Sequence, residues 1–113
     1  MLFRSSELLT TITNDAWFGR TSAPYQHFAQ AAMRAIEQGR YLVRSANTGI
    51  SGIVDPYGRV VAQTDVFVPA ALVGEARFLS VDTVYSRSGD LFAYAATLVT
   101  LAGALVTWRR VLQ

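Results

Sequence analysis

The spacing of apolar residues changes several times along this chain, and each change marks a different kind of element. Residues 8–13, Leu-Leu-Thr-Thr-Ile-Thr, form a short apolar and β-branched run that predicts a buried strand. The run stops at Asn14-Asp15, whose short side chains bond to nearby backbone and favour a turn. Residues 16–23 then read as a loop. From Pro24 onward Tyr25, Phe28, Ala29, Ala32, Met33 and Ile36 recur at i, i+3, i+4, i+7, i+8 and i+11, one helical stripe expected to face a core. Gln26, His27, Gln30, Arg34, Glu37 and Gln38 fall on the other faces. Ser22 is the expected N-cap, and Gly39 supplies the left-handed stop.

Beyond Gly39 the pattern becomes that of strands. Residues 41–46 and 50–54 predict two strands joined tightly at Asn47-Thr48-Gly49. Asp55-Pro56-Tyr57-Gly58 has the residue order that a type I turn favours, and leads into a third strand at 59–63 as a hairpin. Residues 65–69 read as a loop, 71–76 as a last strand, and 81–89 as a link to the C-terminal segment.

That segment differs from the rest. Between Leu91 and Trp108 no residue is charged, a run of about 18 residues or roughly 27 Å of helix, close to the hydrocarbon thickness of a bilayer. Trp108 at one end, with Phe92 and Tyr94 at the other, suits interfacial anchoring. The alternative is a core helix, but a helix apolar all round needs a larger soluble body to hide it. The run is therefore expected to span a membrane. Arg109 and Arg110 close it and are expected on the cytoplasmic side, with everything before Leu91 outside. At the other end Met1 to Phe3 is apolar, but Arg4 to Glu7 interrupt it too soon for a signal peptide.

Composition changes this picture in two ways. The chain has 113 residues, enough for one small domain or a part of a larger one, and its net charge is only +2. All ten basic residues are Arg, and eight of them are scattered singly among acids, so there is no basic stripe and no nucleic-acid partner is expected. The absence of Cys excludes disulfides, a thiolate nucleophile and a zinc–thiolate site within the chain, and says nothing of compartment. His27 has no second His or Cys to share a metal with, and is expected at the helix surface. No cofactor, metal site or catalytic residue is expected within these 113 residues.

Several ordered pieces carry a resemblance. They are Asn14-Asp15-Ala16-Trp17-Phe18-Gly19, the helix with Gln26-His27 and Met33-Arg34-Ala35-Ile36-Glu37, and the run from Arg44 to Ser51. Val54-Asp55-Pro56-Tyr57-Gly58, Leu72-Val73-Gly74-Glu75 and Tyr85 to Asp90 before an apolar tail complete the set. In this order they resemble the C-terminal portion of the bacterial apolipoprotein N-acyltransferases, relatives of the nitrilases, from about Glu7 to Arg110. The helix and the Asp-Pro-Tyr-Gly hairpin would fit any nitrilase-like protein; the Trp-Phe-Gly loop and the apolar tail narrow the choice.

The resemblance implies an α/β fold: the C-terminal part of a nitrilase-like αββα sandwich at residues 1–85, then a linker and one transmembrane helix at 86–113. It implies an inner-membrane enzyme that moves an acyl chain from a phospholipid to the amine of a lipoprotein's diacylglyceryl-cysteine. Family members use a Glu-Lys-Cys set in which Cys forms a thioester, and all three precede the strand at 8–13. None has a matching position here, so the implied reactive residues lie before Met1, and the missing N-terminal part becomes an expected partner beside phospholipid donor and lipoprotein acceptor. By the same resemblance Trp17 and Phe18 line the acyl-chain or entry region, with plain core packing as the alternative. Asn14 and Asp15 orient site backbone or only form a turn, and Asn47 and Thr48 approach the same pocket. Arg34 and Arg44 are expected in structural ion pairs, with phosphate binding as the alternative. A non-catalytic, membrane-anchored lipid- or partner-binding module is a competing function, and a different carbon–nitrogen hydrolase with an apolar tail is a third.

Overall fold

The computed structural model describes residues 6–111; the apolar start at residues 1–3, Arg4 and the last two residues lie outside that range. Strand β1 (Leu9–Asn14) leads through one turn of 3-10 helix (Ala16–Phe18) into helix α1 (Ala23–Gln38). Strands β2 (Leu42–Asn47), β3 (Gly52–Val54) and β4 (Val60–Gln63) come next, then the short helix α2 (Val84–Ser88) and helix α3 (Leu91–Val111). The four strands make one sheet in sequence order. β1 and β2 are parallel, from Leu9 opposite Leu42 to Asn14 opposite Asn47, so α1 is the crossover between them. The remaining pairs are antiparallel. The fold is thus mixed α/β with one apolar helix at its C-terminal end, as expected.

Each element has a local cause. Gly39 ends α1 with φ 63°, and its N–H bonds back to Ala35 and Ile36 carbonyls. Ser22 stands at the capping position but has helical backbone angles and makes no side-chain cap. The hydroxyl of Thr21 accepts from the Ala23 N–H instead, at 3.3 Å. In the β3–β4 hairpin, Asp55 Oδ1 accepts from the N–H groups of Tyr57 and Arg59 at 2.9 and 2.8 Å. Gly58 takes φ 82°, and the sheet register shifts at Ile53/Val54.

The core lies between α1 and one face of the sheet: Leu9, Phe28, Ala35, Leu42, Ile50 and Val54. The helix turns a different stripe inward from the one its spacing suggests. Pro24, Phe28 and Ala35 are buried, and Ala31 and Ala32 pack against the cluster. Tyr25, Ala29, Met33 and Ile36 are exposed. The apolar arc of α1 is wider than its contact with one sheet, and the small residues Ala31 and Ala35 let the helix approach closely there.

Residues 71–76 form no strand. They pass over the sheet face opposite α1, where a Cβ on Gly74 would strike Ile53. No strand among the described residues lies beside them, and an extended segment without a ladder neighbour is not a strand. The segment is tied down at its far end. Leu79 N–H donates to the Glu7 carbonyl at 3.0 Å, Arg40 donates to the Val81 carbonyl, and the Thr83 hydroxyl donates to the Glu37 carbonyl. α2 then forms where a plain link was expected, capped by Thr83, whose hydroxyl accepts from Ser86 N–H at 3.0 Å.

α3 has 21 residues, long and apolar enough by length and composition to cross a membrane, and none of its residues is buried in the rest of the chain. Thr97, Thr100 and Thr107 donate their hydroxyls to carbonyls four residues back, at 2.8–2.9 Å. These threonine hydroxyls therefore find their partners within the helix itself.

Candidate functional site

The carboxyl ends of the two parallel strands bring three loops together, at residues 15–22, 48–51 and 64–70. In α/β sheets this end is where ligand-binding loops gather. Asn14 and Asn47, opposite each other in the last register position, are joined by Asn47 Nδ2 donating to Asn14 Oδ1 at 3.3 Å. Asn14 Oδ1 also accepts from Ala16 N–H at 3.0 Å, which starts the turn toward Trp17.

Asp15, the next residue, is 1% exposed. Its Oδ2 accepts from Arg44 Nη2 at 2.9 Å, and its Oδ1 lies 3.2 Å from His27 Nδ1. Arg44 is itself buried, and its Nε donates to the Ile50 carbonyl at 3.2 Å. Gly49 lies so close that any Cβ there would collide with the Asp15 carboxyl group. One carboxylate thus fixes the β1–α1 loop, α1, β2 and the β2–β3 connection to each other. The imidazole of His27 meets the Phe18 ring edge-on, with centroids 4.8 Å apart.

Beside this knot a cleft of about 370 Å³ is lined by Asn47, Thr48, Ser51, Thr64 and Phe67 among others. Its walls hold two residues in the left-handed region, Thr48 at φ 60° and Phe67 at φ 59°. A β-branched or bulky residue there is a backbone outlier. The two are coupled, because Phe67 N–H donates to the Thr48 carbonyl at 3.1 Å. The Arg20 guanidinium stacks over the Phe67 ring at 5.4 Å, tying the first loop to the third.

Of the six residues singled out in the sequence, Asn14, Asp15, Asn47 and Thr48 gather at this end of the sheet. Asn47 and Thr48 line the cleft. Trp17 and Phe18 sit in the same loop cluster without lining it: Trp17 is 87% exposed, and Phe18 rests on His27. Asp15 has both carboxylate oxygens engaged, so its part here is to hold the loops. His27 lies on the polar side of the helix with 37% of its side chain exposed, as its position suggests, and from there its imidazole reaches Asp15 and the Phe18 ring. A signal for the Asp15–Arg44 pair existed: Arg44 alternates inward in β2 with Leu42, and a buried Arg requires a carboxylate. Arg34 pairs with Glu37 at 2.8 Å, so both arginines stand in ion pairs, as expected.

What the cleft offers chemically is amide and hydroxyl hydrogen bonding beside an aromatic ring. Among the described residues no group of three or more His, Asp or Glu is placed to hold a metal. The whole sequence contains neither Cys nor Lys.

Comparison with known proteins places these elements. The carbon–nitrogen hydrolase pattern matches residues 4–75. An apolipoprotein N-acyltransferase of Geobacter metallireducens is 47% identical over 105 residues, which is 93% of this chain and 20% of that protein. That of Bradyrhizobium diazoefficiens is 50% identical over 103 residues, 91% of this chain and 19% of the relative. For Nitrosomonas europaea the figures are 41% over 109 residues, 96% and 22%. The chain spans about a fifth of the length of the curated relatives it matches.

Proposed function

The chain belongs to the carbon–nitrogen hydrolase family, and from that premise we propose that it supplies the C-terminal portion of an apolipoprotein N-acyltransferase. The observation that carries this reading is the reach of the similarity: relatives of one name match 93% of the chain, well beyond the 4–75 of the hydrolase pattern. The apolar helix is therefore inside the likeness, not appended to it.

In this reading a Cys outside the chain attacks the ester carbonyl of a phospholipid. A thioester forms as the lysophospholipid alkoxide leaves and takes up a proton, a Glu serves as base and a Lys steadies the oxyanion. The amine of a lipoprotein's diacylglyceryl-cysteine then attacks the thioester, the amide forms, and the thiol is released. A thioester suits the exchange because thiolate is a strong nucleophile and the product stays reactive toward an amine. The chain's own contribution is shape and placement. Asn47 and Thr48 wall the cleft, Asn14 and Asp15 hold its loops, and Trp17 and Phe18 present apolar surface to acyl chain or entering substrate. α3 spans the inner membrane, with Arg109 and Arg110 cytoplasmic and residues 1–85 on the periplasmic side.

The test is reconstitution. The chain is expressed with the Geobacter metallireducens relative from which the matched 105 residues are deleted, and acyl transfer from phospholipid to a diacylglyceryl-cysteine peptide is monitored. Activity is expected only with both pieces. Transfer by this chain alone overturns the reading. The lack of Cys and Lys favours a second reading, a non-catalytic membrane-anchored module binding lipid or a partner. Lipid binding by the isolated chain, with no gain of activity in the paired expression, would select it.

A further inference from the structure

The cleft beside Asn47 is a split between two strands. The β2–β3 pairing ends at Arg44 opposite Gly52, although β2 runs on to Asn47. Ser51 fills the gap chemically: its hydroxyl accepts from the Ala46 N–H at 2.9 Å and donates to the Ala46 carbonyl at 3.4 Å. On the other wall the Thr64 hydroxyl accepts from Ser51 N–H at 3.1 Å, and Thr64 N–H donates to the Ser51 carbonyl at 2.9 Å. The backbone of Ala46 and Ser51 is thus already paired, so a ligand in the split is held mainly by side chains.

Two of those side chains are informative. Ala16 N–H donates to Asn14 Oδ1, which fixes that oxygen as an acceptor. Asn47 must then turn its Nδ2 toward it, which leaves Asn47 Oδ1 without a partner among the described residues. Phe67 holds φ 59°, an angle that glycine takes without steric cost, as Gly19, Gly39, Gly58 and Gly89 do in this chain. The core does not account for a ring at such a position: Val66, one residue earlier, packs against the core cluster, and Phe67 does not. Phe67 lines the cleft instead, with Arg20 stacked on its ring and its N–H bonded to the Thr48 carbonyl.

The lining selects a chemical class. No charged side chain among the described residues lines the cleft, so a phosphate or a free carboxylate would enter it without a counter-charge. Asn47 Oδ1 calls for an N–H or O–H donor, while Phe67, Val68 and Pro69 call for apolar surface beside it. An extended, uncharged peptide offers both at once, with amide N–H groups along its backbone and small side chains between them. We infer that this cleft seats an uncharged stretch of the acceptor polypeptide, just beyond the lipidated residue that carries the reacting amine, and that Phe67 is the side chain that sets its fit. This rests on the reading given under Proposed function. It adds where the polypeptide lies and which residue discriminates.

The experiment uses the full chain in detergent and follows its backbone amide NMR signals during titration with a blocked tetrapeptide of Ser, Ala and Gly. Saturable shifts are expected at Asn47, Thr48, Phe67 and Val68, and a peptide with one Ala replaced by Asp should bind at least tenfold more weakly. Phe67→Tyr should keep Kd within twofold. Phe67→Gly removes the ring and eases the backbone, so its urea midpoint should equal or exceed the parent's while Kd rises at least tenfold. Should that variant be destabilised, Phe67→Leu decides: it is apolar without a ring, and the same loss of binding is expected. Absence of saturable shifts at those amides overturns the inference, as does equal binding of the charged peptide or of a folded variant without the ring. Dihexanoyl phosphatidylglycerol that moves the same signals in competition with the peptide assigns the cleft to the acyl donor and also overturns it. Peptide binding without acyl transfer in the paired expression leaves the cleft assignment standing and refutes the acyltransferase reading; transfer without peptide binding does the reverse.

Discussion

Asp15 and Arg44 meet at 2.9 Å from the loop after β1 and the middle of β2, with 1% and 6% of their side chains exposed. Two charges withdrawn from water this far are costly to separate. Removing one leaves the other without compensation, at a cost of about 3–5 kcal/mol in comparable pairs. That is a large share of the 5–15 kcal/mol that holds a typical domain. Asp15→Ala and Arg44→Ala are each expected to lower the urea midpoint of the full chain in detergent sharply. Asp15→Leu combined with Arg44→Met should recover much of the loss. Midpoints for the single variants equal to that of the parent would show that the pair adds nothing.

Gly49 tests the same knot from the backbone side. Its missing Cβ is what allows the β2–β3 connection to close over the Asp15 carboxyl. Gly49→Ala is expected to displace that carboxylate and so weaken the contacts to Arg44 and His27 together. Because both changes act on one interaction, Gly49→Ala with Asp15→Ala should cost little more than the worse of the two alone. Strict additivity in denaturant titrations would argue against a shared cause.

The legibility of this fold in its sequence divides along physical lines. α1 and the Asp55–Gly58 turn can be read from the chain because their signals are local: Gly39 and Gly58 take positive φ, and Asp55 bonds its own neighbours. The inward face of α1 cannot, since apolar side chains lie on two adjoining stripes and only the sheet decides between them. Residues 71–76 have strand composition, but strand formation depends on a neighbour that no local pattern supplies. At the site, Asn14 and Asn47 stand out singly in the sequence, while their pairing requires the parallel register. Helical spacing places His27 on the outer side of α1 but cannot show its contact with Asp15, twelve residues away, because the periodicity of one helix carries no information about a loop.

Trp17 and Phe18 separate function from stability. Trp17 is 87% exposed, so Trp17→Ala should leave stability within about 0.5 kcal/mol of the parent. When the chain is co-expressed with the truncated relative, the same change is nonetheless expected to lower acyl transfer at least tenfold, since it removes apolar surface from the loop. Phe18→Ala should lower stability as well as transfer, because Phe18 also packs on His27. Unchanged transfer in the Trp17 variant would remove this loop from the substrate path.

Tyr85 provides a pH-dependent contact at the base of α3. Its hydroxyl donates to Asp90 Oδ1 at 2.8 Å, and this bond to a carboxylate, first among the causes, raises the phenol above its ordinary value near 10. A group whose pKa is raised on folding stabilises the fold fully below its unfolded value. That contribution fades as pH climbs through the raised folded value. On the alkaline side the Tyr85 to Asp90 contact is thus kept through neutral pH and lost only above the ordinary phenol range. A difference titration of phenolate absorbance between the parent and Tyr85→Phe should show a late-ionising tyrosine, and Asp90→Asn should bring it earlier.

In the proposed function, α3 sets where the rest of the chain resides. Its 21 residues give roughly 31 Å of helix, and Arg109 and Arg110 stand at one end only. A charge at its middle should therefore be costly. Leu101→Arg adds about 2.5–3.5 kcal/mol to insertion, and is expected to move the chain from the carbonate-resistant membrane fraction to the extractable one. Orientation can be read cleanly because the sequence contains no cysteine. Single cysteines at Ser80→Cys and Val111→Cys flank the helix, and a membrane-impermeant maleimide added to intact spheroplasts should label only the first. The positive-inside tendency is the basis of that expectation, since an arginine pair resists translocation. Labelling of Val111→Cys alone would turn the sheet and its cleft to the cytoplasm, away from the lipoprotein amines that the proposed reaction needs.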